Sequence, residues 1–208
     1  MVLMRRHWPP APARLKALLF ALCLLPLASI VWRLLLGHQT NPVEFLTRET
    51  GWWTLTMLMV TLAVTPLRRL SGWNAVIRLR RMLGLFAFFY VSLHFLTYLW
   101  LDQMFDPFTI AHDVVKRPFI TVGFAAFAML VPLALTSTDG WMRRLRRRWG
   151  QLHRLVYPIA IAGVVHFWWL VKADIREPAL FAAVLGLLLG VRLHWRWRRW
   201  RQSVAGPV

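Results

Sequence analysis

The sequence predicts an all-α integral membrane bundle of six transmembrane helices with both termini in the cytoplasm. Three observations lead there. The composition is 58% hydrophobic and 16% charged, which leaves too few polar side chains to cover a soluble domain of 208 residues. Apolar runs of roughly 17–20 residues recur along the chain, the length that crosses a hydrocarbon core. Strongly basic connections alternate with mixed ones, as expected when Lys and Arg are retained on the cytoplasmic side.

The runs cover about Ala17–Leu36, Gly51–Leu67, Met82–Leu101, Phe119–Leu135, Leu155–Val171 and Ala179–Leu193. The first follows a basic start and resembles a signal peptide, but no small-residue cleavage site follows Ser29, so it reads as a retained helix. Pro26, Pro132 and Pro158 fall in or near the runs. Membrane helices tolerate proline because neighbouring groups satisfy the freed carbonyl. No internal repeat, low-complexity stretch or linker long enough to separate domains is visible, so the chain reads as a single domain, residues 1–208.

The connections set the orientation. Basic residues crowd the N-terminal tail (Arg5, Arg6, Arg14, Lys16), the second connection (Arg68, Arg69, Arg78, Arg80, Arg81), the fourth (Arg143, Arg144, Arg146, Arg147, Arg148) and the C-terminal tail (Arg192, Arg196, Arg198, Arg199, Arg201). The first, third and fifth connections are mixed, with Glu44, Arg48 and Glu49, then Asp102, Asp106, Asp113, Lys116 and Arg117, then Lys172, Asp174, Arg176 and Glu177. An even number of helices then puts both ends inside. The net charge of +18 is explained by this topology. It does not point to nucleic acid, whose binding domains lack repeated bilayer-length apolar runs. Many of the 13 tryptophans, among them Trp52, Trp100, Trp149 and Trp197, fall near run ends, as interfacial belts require. The single cysteine, Cys23, can form neither an intrachain disulfide nor a cysteine-based metal site and reads as apolar filler.

Ionisable residues inside a spanning helix are costly and are functional candidates. No Asp or Glu lies within the six runs, whereas His94 lies in the third, His166 in the fifth and His153 at the start of the fifth. His7, His38, His112 and His194 fall in tails or connections and read as interfacial polar residues. His94 stands 13 residues beyond Arg81, roughly 20 Å along a helix, and His166 stands 13 residues beyond His153. Both helices run outward, so His94 and His166 are expected at one depth in the outer half of the core. Two neutral imidazoles facing each other at one level can ligate a heme iron from both sides. The competing reading is two histidines hydrogen-bonded to backbone carbonyls within the bundle. Ala162 and Gly163, one turn below His166, leave room for a flat macrocycle, and Tyr90 and Tyr98 flank His94, able to line a ring edge or bond a propionate.

His153 lies about 140° from His166 around an ideal helix, a gap that Pro158 between them can narrow by kinking or overwinding. A second heme, a flavin or quinone head group, or a helix cap all remain open for it. No histidine pairs with it on helix three, where Arg80 and Arg81 stand. The membrane runs offer no nucleophile–base pair, which argues against hydrolytic chemistry.

The third run reads Arg80-Arg81-Met82-Leu83-Gly84-Leu85, then Tyr90 and Leu93-His94. The fifth reads Trp149-Gly150-Gln151-Leu152-His153-Arg154-Leu155-Val156-Tyr157, then His166. With the stretch Asp113–Gly123 and Leu135-Thr136-Ser137-Thr138, these motifs resemble the MsrQ (YedZ) family of heme-binding membrane subunits, over essentially the whole chain.

That resemblance implies a ferric-reductase-like transmembrane domain in the bacterial inner membrane, binding heme b and, in the family, FMN. It implies electrons taken from the quinone pool or a cytoplasmic flavin reductase. They would pass to a periplasmic molybdopterin subunit that reduces methionine sulfoxide in oxidised proteins, so that sulfoxide chemistry belongs to the partner. The family's three histidines fall on His94, His153 and His166. Wider relatives usually pair histidines twice across these helices, and this chain lacks one on helix three, which leaves the number of hemes open. No glycine-rich dinucleotide loop is present, so the chain cannot take a hydride from a nicotinamide itself. No FMN motif is visible; the basic stretches at Arg78–Arg81 and Arg143–Arg148 could hold a phosphate, although topology already explains their charge. Alternatives are a stand-alone transmembrane metal reductase and a non-redox scaffold.

Overall fold

A computed structural model describes residues 13–37 and 39–204. His7, His38, Arg5 and Arg6 lie outside the described residues. No strand occurs among those described, and the chain forms two compact units, Met1–Asp102 and Gln103–Val208.

In the first unit, α1 spans Ala13–Leu35 and buries only Cys23, Pro26 and Ile30, a single stripe at helical spacing. Leu18, Leu25 and Trp32 are exposed, as expected where lipid replaces water around the helix. The helix α2 spans Pro42–Ser71. Asn41 caps it by accepting from the Glu44 N–H at 3.2 Å, and Pro42 supplies a ring where no N–H is needed. Gly72, at φ 70°, closes the other end by donating to the Arg68 carbonyl. This start corrects the sequence expectation. Glu44, Arg48 and Glu49 belong to the first turns of α2, not to a loop, and Glu49 reaches Arg33 of α1 at 2.7 Å. The threonines of α2 are reconciled to an apolar setting by bonding back along the helix. Thr50 donates to Leu46 O at 2.6 Å, Thr54 to Thr50 O at 2.8 Å and Thr61 to Met57 O at 2.7 Å.

A 3-10 turn, Asn74–Arg78, turns the chain into α3, Leu79–Leu96, which runs back along α2 and continues as a π turn over Thr97–Asp102. Tyr90 is fully buried. Its hydroxyl donates to Cys23 O at 2.7 Å and accepts from Leu27 N at 3.2 Å. Those two groups, four residues apart on α1, would ordinarily bond each other, so the tyrosine is inserted into the α1 ladder beside Pro26.

The second unit opens with α4, Pro107–Lys116, too short to be read from periodicity. Asp106 caps it, accepting from Phe108 N at 3.0 Å and from the Thr109 hydroxyl. The hydroxyl and then the backbone N–H hold the Asp106 carboxyl below the ordinary aspartate range. The sign follows: a depressed folded pKa contributes stability above the unfolded value, lost as pH falls through the folded one. The amides at the start of α4 are therefore expected to lose hydrogen-exchange protection in acid below about pH 4. Asp106→Asn, which keeps a cap but not the charge, should remove that pH dependence.

Next come α5, Pro118–Leu135, then α6, Asp139–Leu145, and α7, Arg147–Leu152. Thr138 caps α6, and Arg146, at φ 47°, breaks it from α7. A 3-10 turn, His153–Leu155, leads into α8, Val156–Leu170, which packs along α5. Pro158 falls in the first turn of α8 and cannot donate to the Arg154 carbonyl, consistent with the tighter turn ahead of it. The last helix, α9, spans Arg176–Val204 and carries the C-terminal arginines on helix rather than tail; Arg192 lies 5.7 Å from the Tyr157 ring.

Among the described residues, five helical segments are long and apolar enough to cross a membrane: residues 13–35, 42–71, 74–102, 118–135 and 176–203. The sixth expected span is α8, whose α-helical part is 15 residues. In each unit the arginine-rich connection lies at one end of the helix pair and a membrane histidine at the other.

Candidate functional site

His94 is near the end of α3, and its Nδ1 lies 2.9 Å from the carbonyl oxygen of Thr47 on α2. His166 is near the end of α8, and its Nδ1 lies 2.6 Å from the carbonyl oxygen of Phe119 on α5. A carbonyl only accepts, so each Nδ1 carries the proton. The lone pair of each neutral ring is then on Nε2, the tautomer that suits a metal ligand.

The two arrangements share one plan. Each carbonyl residue precedes its histidine by 47 residues. In each, a glycine stands four residues after the carbonyl, Gly51 after Thr47 and Gly123 after Phe119. A Cβ on Gly51 would come within 3.1 Å of the His94 ring, and one on Gly123 within 2.7 Å of the His166 ring. The side chains differ between the units, but the backbone arrangement repeats. The sequence assigns Thr47 and Gly51 no role, and Phe119 and Gly123 enter the resemblance only within the stretch Asp113–Gly123; the signal for all four as partners of the histidines is the repeated spacing to a membrane histidine.

His153 opens the 3-10 turn at the arginine-rich end of the second unit. Its ring stacks on Trp149 at 3.9 Å between centroids, and its Nδ1 lies 3.1 Å from the Trp149 carbonyl. Trp149 is itself anchored, its Nε1 donating to Thr136 O at 2.9 Å. The 3-10 turn narrows the angle expected between His153 and His166. Three residues advancing about 120° each instead of 100° take the ideal 140° to roughly 80°. Overwinding at the turn, with Pro158 just beyond it, accounts for the change.

Tyr90 takes another part. Its hydroxyl proton goes to Cys23 O, which engages it with α1. Ala162 and Gly163 are half-buried on α8. Among the described residues no three His, Cys, Asp or Glu side chains gather where they could hold a metal ion. The donor set is thus individual imidazoles, each oriented by a helix carbonyl, as suits a group that brings its other ligands with it.

Residues 50–164 match the family described as ferric reductase like transmembrane component. The matched span contains Gly51, His94, Gly123 and His153 and stops just before His166. The chain therefore belongs to the ferric-reductase-like transmembrane class.

Curated relatives narrow this further. The chain is 53% identical over 195 residues to the protein-methionine-sulfoxide reductase heme-binding subunit MsrQ of Herminiimonas arsenicoxydans, covering 92% of this chain and 89% of that protein. It is 55% identical to the protein of that name from Bordetella pertussis strain Tohama I, covering 91% and 93%. Against the protein of that name from Xanthomonas campestris pv. campestris strain 8004 it is 52% identical, covering 91% and 88%. The chain is a member of the MsrQ family. No solved structure matches it significantly.

Proposed function

We propose that this protein is a membrane electron-transfer subunit that holds b-type heme through His94 and His166 and serves a methionine sulfoxide reductase. The observation that carries the reading is the pair of Nδ1–carbonyl bonds, which sets both rings in the ligating tautomer. A histidine that only packs a bundle could make such a bond too. Its repetition at equal spacing, each time with a glycine under the ring, favours a ligand, and the relatives are named heme-binding subunits.

When bound, heme supplies one-electron transfer between ferric and ferrous iron. The protein's own contribution is positional. Each carbonyl fixes a ring's tautomer, and the surrounding apolar helices exclude water. His153, stacked on an anchored tryptophan, is a second imidazole position toward the arginine-rich end, for another heme or a different electron carrier.

The finer reading rests on the resemblance. Electrons enter from the quinone pool or a cytoplasmic flavin reductase at the arginine-rich side. They leave to a periplasmic molybdopterin partner that carries out the sulfoxide reduction. The chain sits in the inner membrane with six spans and both ends inside; FMN rests on the resemblance alone. A reporter fused at the C-terminus is expected to read as cytoplasmic, and a periplasmic signal would overturn the charge-based orientation.

The deciding experiment is the visible spectrum of the purified protein. Reducible Soret and α bands are expected, and their absence would sink the heme assignment. The ferric-reductase-like match supports a second reading, a stand-alone metal reductase. Reduced protein offered a ferric chelate or a periplasmic sulfoxide reductase separates the two by which one reoxidises it.

A further inference from the structure

Gly51 and Gly123 are each packed against a histidine ring from the neighbouring helix. The geometry explains why glycine is required. A helix carbonyl points toward the residue four positions on, whose own Cβ tilts back toward the N-terminus and over that carbonyl. A side chain there would cover the carbonyl from the side. With glycine the oxygen is open to lateral approach, and its second lone pair can accept from an imidazole while the helix bond is kept. Both units use this device, four residues beyond Thr47 and four beyond Phe119.

We infer that Gly51 and Gly123 are positioning residues for the proposed heme ligands: each makes room for an imidazole and so sets its ring plane and its Nδ1 bond to the helix carbonyl. The inference rests on the heme reading but goes beyond it, because it assigns a role to two residues that lie against the histidine rings. It also ranks them. A Cβ on Gly123 would stand 2.7 Å from His166 Nδ1 and cannot be accommodated without moving the ring. On Gly51 it would stand 3.1 Å from His94, close enough to push the ring by a few tenths of an ångström.

The test compares purified wild type with Gly123→Ala, Gly51→Ala and a control, Gly186→Ala, where an added Cβ meets nothing within 4 Å. Heme per chain, the low-spin signal and the heme reduction potential are measured on protein recovered from the membrane. Gly123→Ala is expected to lower heme retention by about tenfold or more, the usual cost of disturbing a ligand's outer-shell partner. Gly51→Ala should keep more heme but show an altered low-spin signal and a raised potential. A weakened Nδ1–H···O=C bond makes the ligand less basic and so favours ferrous iron. Gly186→Ala should match wild type.

Wild-type heme content, signal and potential in Gly51→Ala would overturn the inference, even if Gly123→Ala failed to accumulate. So would a larger loss in Gly51→Ala than in Gly123→Ala. These failures differ from failure of the heme reading itself. That would appear as a wild type without heme, or one whose signal survives the loss of both His94 and His166.

Discussion

Replacing His166 with alanine is expected to abolish the low-spin heme signal while leaving the protein in the membrane, and His94→Ala is expected to do the same. The ring of His166 is oriented by the 2.6 Å approach of its Nδ1 to Phe119 O, with Phe119's own ring 6.2 Å away. Removing the imidazole takes away the donor of a lone pair but leaves the backbone of α5 and α8 intact, because the accepting carbonyl retains its helical partner. The spectroscopic loss should therefore be large and the structural loss small. His94→Ala makes the parallel change against α2. Titration of recovered heme against protein, with the reduced spectrum, checks both. A normal low-spin spectrum in both variants would show that neither ring is a ligand.

The second large effect is expected at Tyr90, on stability rather than on the spectrum. Tyr90 is fully buried, and its hydroxyl bridges Cys23 O and Leu27 N on α1. Tyr90→Phe keeps the ring and removes the bridge. It should cost about 1–3 kcal/mol, less if α1 closes its own ladder at that point. Tyr90→Ala adds a cavity and should cost about 3–5 kcal/mol by analogy with large aromatic truncations. Lipid cannot fill so small a void between helices, so packing loss remains even where water is absent. Thermal unfolding in detergent should rank wild type above Phe above Ala. If Tyr90→Phe instead lost heme without losing stability, the hydroxyl would belong to the cofactor and not to α1.

The apolar centres of the five long helices, and of the shorter α8, are readable in the sequence, because bilayer length and composition constrain them strongly. Their ends were less so. Glu44, Arg48 and Glu49 look like a connection by composition, yet Asn41 and Pro42 start α2 ahead of them. The arginines after Val191 look like a tail, yet continue α9. The short helices α4, α6 and α7 carry too few turns for a periodic signal, although Asp106 and Thr138 are recognisable caps once seen.

In the candidate site, His94, His153 and His166 stood out because ionisable side chains in apolar runs are rare. Their partners did not, since every residue has a carbonyl and nothing in the side chains of Thr47 or Phe119 marks the one that is used. Gly51 and Gly123 could have been found only by aligning the two halves on their histidines. Tyr90 was noticed for its place one turn from His94, but helical adjacency does not say which neighbouring helix a hydroxyl will enter.

The tight turn at His153–Leu155 has an electrical consequence. A 3-10 turn rises about 2 Å per residue and an α-helix about 1.5 Å, so the path from His153 to His166 climbs roughly 21 Å. That is about two-thirds of a hydrocarbon core 30 Å thick. One elementary charge crossing the whole core is worth about 2.3 kcal/mol per 100 mV, so an electron moved between these two levels carries roughly 1.5 kcal/mol per 100 mV. In the proposed orientation, with the arginine-rich end inside and the cell interior negative, the membrane voltage would drive outward transfer between carriers held at these two levels. If carriers occupy both levels as proposed, collapsing the voltage in sealed vesicles would redistribute electrons toward the His153 level, so that the internal redox balance would follow the energised state of the membrane.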